Sequence, residues 1–171
     1  MARLLTGCRL STNVDCARVL LEHGADPNIA SSRGFTPFNT ALISGNVELL
    51  ELLLSYGAIL DPQDIFIALD PFGHGPEVAT AFMLAKGVDV NTLSPRWGTP
   101  LHFAVRHCQK TMVKLLLDAG ADPSIKFTQE FKYSDMTPAA LAEATGETEI
   151  FHMLQEAEVQ QKAEALQLDD D

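Results

Sequence analysis

Thr99-Pro100-Leu101-His102-Phe103-Ala104 and, 21 residues beyond its threonine, Gly120-Ala121-Asp122-Pro123-Ser124 decide the fold of this chain, because both strings recur along it. The glycine string returns as Gly24-Ala25-Asp26-Pro27-Asn28, Gly57-Ala58-Ile59-Leu60-Asp61 and Gly87-Val88-Asp89-Val90-Asn91, which spaces the four glycines by 33, 30 and 33 residues. Each follows an apolar run: Val19-Leu20-Leu21, Leu52-Leu53-Leu54, Phe82-Met83-Leu84 and Leu115-Leu116-Leu117. A glycine just past a periodic apolar segment adopts the left-handed helix-ending conformation without a Cβ clash. The threonine string returns as Thr36-Pro37-Phe38-Asn39 and Thr137-Pro138-Ala139-Ala140. There the hydroxyl caps an orphan amide, and proline fits the first turn because its missing N–H costs nothing. Each unit therefore reads helix A, tight turn, helix B, glycine stop and extended loop.

This period and the T-P-L-H-x-A string resemble the ankyrin repeat family. The resemblance implies an all-α solenoid of about five helix-turn-helix units with short hairpin-like fingers. The units fall at about residues 1–30, 31–60, 61–93, 94–126 and 132–157 in a single domain, 1–157, followed by a helical extension and acidic tail, 158–171. Unit one starts at Arg3-Leu4-Leu5-Thr6 without a polar cap. The expectation is a fragment with further N-terminal repeats, or an edge covered by another chain or by self-association. Gly57 stands three residues too close to unit three, so the finger before that unit is shortened. Asp61-Pro62-Gln63-Asp64 reads there as a capping box and Pro71 as the stop. The last finger is five residues too long, an insertion placed at 127–131.

With 23 acidic against 12 basic residues in 171, the formal charge of -11 repels phosphate backbones and anionic membranes. No apolar run approaches the ~20 residues of a membrane span. Neither nucleic acid nor membrane is an expected partner. Three cysteines, Cys8, Cys16 and Cys108, form no CxxC pair and fit reduced thiols. With no secretory leader legible, the reading is a cytoplasmic protein, the nucleus being the other compartment allowed. The charge is unevenly spread: -5 over residues 1–84, +3 over 85–133 and -9 over 134–171. The middle segment is a basic island that suits a protein partner with an acidic segment.

In the family, partners bind the concave side built from finger tips, helix A ends and the A–B turns. Carried over by position, the resemblance nominates Arg33, Phe35, Ile43, Ser44, Tyr56, Phe72, His74, Arg96, Trp97, Arg106, His107 and Tyr133 as partner-binding residues. Phe35, Arg96, Trp97, Arg106 and Tyr133 lead, because aromatic and arginine side chains dominate binding energy where they are desolvated. Trp97 replaces the glycine usual in the family, so packing against its own finger is its other role. The resemblance also implies that His102 bonds back to Thr99 and the neighbouring loop, a structural role, and that Asn28 and Asn91 are candidate acceptors for asparaginyl hydroxylation. The reading is a non-enzymatic scaffold or adaptor without a cofactor. Its alternative is an enzyme or metal site around His74, His107 and Asp70, whose spacings match no ligand pattern.

Overall fold

Threonine followed by proline starts three helices in the computed structural model, which describes residues 14–127 and 135–168. Thr36, Thr99 and Thr137 are extended N-caps whose hydroxyls accept the amides of Asn39, His102 and Ala140. The described residues form nine α-helices: α1 (Val14–Glu22), α2 (Pro37–Ser44), α3 (Val47–Ser55), α4 (Ile65–Ala68), α5 (Pro76–Ala85), α6 (Pro100–Arg106), α7 (Lys110–Asp118), α8 (Pro138–Thr145) and α9 (Thr148–Leu168). Among these residues there is no strand. Two isolated antiparallel bridges, Ser94 with Gly98 and Phe127 with Met136, lie in the fingers of the described residues. Gly24, Gly57, Gly87 and Gly120 lie at φ 80 to 86°, the left-handed stop expected of them. The chain is thus the all-α array of helix pairs that the repeated strings imply.

The contacts gather into two compact units, Met1–Val88 and Asp89–Asp171. In the first, α2 packs on α3, α4 and α5, and α1 on α3. Phe38, Leu42, Leu50, Leu53, Ile65, Leu69 and Met83 fill its core. In the second, α6 packs on α7 and α8, and α9 on α7 and α8, around Leu101, Met112, Leu116, Leu141, Ile150 and Leu154.

Unit three departs from its neighbours as its short finger requires. The Asp61 carboxylate accepts the Gln63 amide two residues on, and the Asp64 N–H donates to the Asp61 carbonyl at 2.9 Å. The bond to Gln63 is an Asx turn, and the Asp64 carboxylate accepts a bond from the Asp61 backbone, the return half of the expected capping box. The chain then passes through a 3-10 turn, Pro62–Asp64, into the four-residue α4. Phe127, at the start of the expected insertion, is buried and pairs with Met136, so the extra length lies between those two residues. The start at Arg3, Cys8, the rest of the insertion with Tyr133, and the tail at 169–171 lie outside the described residues. At the other end, α9 continues three turns past the length of the other B helices, and the Gln161 amide donates to the Ala121 carbonyl at 3.0 Å. The extension therefore leans on the loop after α7.

Candidate functional site

The finger of the second unit is closed by reciprocal bonds, Ser94 N–H to the Gly98 carbonyl at 2.9 Å and Gly98 N–H to Ser94 at 3.0 Å. Pro95, Arg96 and Trp97 are left at its tip. The Trp97 ring turns back onto α6, edge-on to Phe103 with centroids 5.2 Å apart and 6.1 Å from His107. Phe103 and His107, one helical turn apart, are themselves 4.4 Å from each other. Trp97 is therefore half-buried: one part of the ring packs on Phe103 and His107, and the rest stays open. The Arg96 guanidinium sits 4.5 Å from the indole centroid and that of Arg106 5.8 Å. A guanidinium over an indole is held by the ring quadrupole and keeps its N–H edge for a planar anion. Among the described residues no carboxylate stands within ion-pair distance of Arg96. Four of the nominated residues, Arg96, Trp97, Arg106 and His107, thus come together with Phe103, whose part was not legible because it lies six positions from Trp97 across a finger–helix junction.

On α6, His102 is buried at 3% exposure. Its Nδ1 stands 3.3 Å from the Thr99 amide and 2.8 Å from the Thr99 hydroxyl, and its Nε2 is 3.1 Å from the Met136 carbonyl. Since the amide must donate and the carbonyl must accept, the proton resides on Nε2. Burial, with the Arg106 charge as a smaller contribution, lowers its pKa below 6.5 despite the opposing Met136 bond. A neutral histidine bound on both sides is a structural strut between helix A and the next finger.

In the first unit the nominated residues are distributed along separate features. Arg33 and Phe35 are exposed on the finger, where the Ser31 N–H donates to the Phe35 carbonyl at 2.8 Å. Ile43 and Ser44 are half-buried at the end of α2, and the Ser44 hydroxyl is spent on the Ala41 carbonyl. Tyr56 is exposed at the end of α3. Phe72 and His74 are exposed on the loop between α4 and α5.

His74 belongs to the first unit and His107 to the second. Among the described residues no three His, Cys, Asp or Glu side chains are grouped as a metal would require. Asn28 and Asn91 are half-buried loop bridges. The Asn28 amide donates to the Gly57 carbonyl at 2.9 Å and accepts the Ile59 N–H at 2.8 Å, while Asn91 accepts the Asp122 N–H at 2.9 Å. A groove of about 680 Å³ between α7 and α9, lined by Lys114, Leu117, Met153 and Gln160 among others, holds none of the nominated residues.

Residues 5–54 match the family model for ankyrin repeats (many copies), and residues 65–164 match that for ankyrin repeats (3 copies). Among curated proteins, the chain is similar to the ankyrin repeat protein FPV230 of fowlpox virus, 31% identical over 66% of this chain and 62% of that one. It is similar to the ankyrin repeat and LEM domain-containing protein 1 homolog of Caenorhabditis elegans, 41% identical over 48% of this chain and 10% of that one. The potassium channel AKT2/3 of Arabidopsis thaliana is 34% identical over 63% of this chain and 14% of its own length. The chain thus spans from a tenth to about three fifths of these relatives.

Proposed function

This chain belongs to the ankyrin repeat family, and we propose that it is a non-enzymatic scaffold or adaptor that binds a peptide or loop of another protein on the finger-bearing side of its repeats. Ankyrin repeats generally mediate binding to other proteins and are typically non-enzymatic. The observation that supports this reading best is the Arg96 guanidinium over the half-buried Trp97 ring, 4.5 Å from its centroid. Such a pair offers an apolar plate for a side chain and, at Arg96, a charged N–H edge for a carboxylate, so the partner segment is acidic. A cytoplasmic or nuclear location is part of the same reading; no helix among the described residues is long and apolar enough to cross a membrane.

Trp97 is the sole tryptophan, which makes its fluorescence a reporter of this site. Titrating an Asp/Glu-rich decapeptide at low salt should shift the emission in a saturable way. The shift should weaken with added salt and be absent in Arg96→Glu. An unchanged spectrum, or an equal response to a Lys-rich decapeptide, would count against the acidic partner.

The family resemblance carries a second, compatible reading, that Asn28 and Asn91 are hydroxylase acceptors. Their amides already organise the turns a modifying enzyme would have to open. A mass increase of one oxygen, mapped to Asn28 or Asn91 after incubation with an asparaginyl hydroxylase, is the expected result.

A further inference from the structure

Two ties hold α7 and α9 together, one at each end of the groove between them. The Lys110 ammonium pairs with the Glu149 carboxylate, and the Gln161 amide donates to the Ala121 carbonyl at 3.0 Å. The ties join residues 39 and 40 positions apart, so the two helices run parallel in one register. Lys114 and Met153, each a helical turn past the first tie, therefore share a level, and Leu117 and Glu156 share the next, about 4.5 Å on. These four line the groove of about 680 Å³ as its corners. Leu117 and Met153 occupy one diagonal, half-buried, and the exposed Lys114 and Glu156 stand on either side of it. Where Lys110 finds a glutamate on α9, Lys114 finds Met153. Among the described residues neither Lys114 nor Glu156 has an opposite charge within ion-pair distance.

A face with a cation on one side of an apolar line and an anion on the other complements itself, because a two-fold axis along the line exchanges its sides. We propose that this groove is a two-fold docking face for a second copy of the chain. Leu117 and Met153 meet their counterparts along the axis, and Lys114 of each copy pairs with Glu156 of the other. Asp118, beyond Leu117 on α7, also lines the groove and adds a second carboxylate on the side the incoming lysine reaches. Paired there, beside apolar side chains, the charges attract more strongly than they do in open solvent. The face lies wholly within the second compact unit and uses no residue of the Arg96–Trp97 cluster, so it stands or falls independently of the acidic-partner reading.

Sedimentation equilibrium of the full chain, from micromolar to millimolar concentration at physiological ionic strength, tests the pairing. The wild type is expected to populate a dimer at the upper end. Lys114→Glu and Glu156→Lys each set like charges against one another at both contacts. Each should weaken association about tenfold or more, with unchanged far-ultraviolet circular dichroism because both side chains are exposed. An equimolar mixture of the two variants faces glutamate with lysine at both contacts and should recover the association of the wild type. A wild type that stays monomeric at millimolar concentration overturns the proposal. Wild-type association in either variant overturns it too, by assigning the dimer to another face. A mixture that associates no more tightly than its components rejects the two-fold pairing of Lys114 with Glu156.

Discussion

Three residues past the N-cap, the second, third and fourth units carry Asn39, Asp64 and His102, and the two that titrate respond to acid with opposite sign. His102 is neutral, with Nδ1 facing the Thr99 amide, so a second proton would set donor against donor. Its pKa is depressed below 6.5, so the unfolded chain binds a proton that the folded chain refuses. Stability from this site is complete above ~6.5 and is lost as the pH falls through that value towards the folded pKa. The His102 contribution should therefore shrink between pH 7.5 and 5.5, read as a narrowing difference in urea midpoint between the wild type and His102→Asn. Asn39 shows that asparagine serves the position: its Oδ1 accepts the Thr36 N–H at 3.0 Å. Asp64 has the opposite sign. Burial first, then the Asp61 charge, raise it from 3.8 to about 6, against hydrogen bonds from Asn39 and the Asp61 backbone. Its contribution is present below about 4 and is lost as the pH rises through about 6. Asp64→Asn should stabilise the protein at pH 7.5 by about 1 kcal/mol, solvent screening at this half-exposed site included, and by nothing at pH 3.5. Cys108 carries strain of a different kind, at φ 55° where the corresponding turn after α2 has Gly45 at φ 64°. Its thiol donates to Glu147, which raises its pKa and keeps it protonated. Cys108→Gly should raise stability by roughly 1 kcal/mol, read as a higher melting temperature.

Helices that start at Thr-Pro and stop at glycine were legible because cap and stop are local chemistry, written in adjacent residues. What escaped the sequence depends on neighbours distant in the chain. The shortened finger implied an early start for the third unit, but not that it would be a 3-10 turn feeding four helical residues. Phe127 looked like part of an insertion, yet it is drawn inward to stack 5.9 Å from His102. Cys108 could not be read as left-handed, since only glycine announces that conformation. Of the candidate site, the composition of the Arg96–Trp97–Arg106–His107 group was legible by position in the repeat; its ring geometry and Phe103 were not. On α5, Thr80 is fully buried and its hydroxyl has no hydrogen-bond partner among the described residues. Desolvating that oxygen without a partner is unfavourable, and valine has the same shape. Thr80→Val should be neutral or stabilising by up to about 1 kcal/mol, whereas Thr80→Ala should lose packing and destabilise, with chemical denaturation giving both values.

Repeat arrays derive their stability from each unit and from the interfaces with its neighbours, so a local loss need not spread evenly along the chain. Here each compact unit has its own leucine core, Leu53 at 1% exposure in the first and Leu116 at 0% in the second. Truncating either to alanine should cost roughly 2 to 5 kcal/mol through lost burial and the cavity left behind. The two losses should register in different places. In Leu53→Ala, amide exchange should accelerate most in α2, α3 and α5, which pack together with α4 in the first unit. In Leu116→Ala the acceleration should centre on α6, α7 and α9. A cost of that size corresponds to about 30-fold to several-thousand-fold faster exchange where opening of the affected unit limits it. Residue-resolved hydrogen exchange in both variants would measure the partition directly. Equal acceleration across both units in each variant would mean that the chain opens as one cooperative body, and that a partner held by either unit stabilises the other to the same extent.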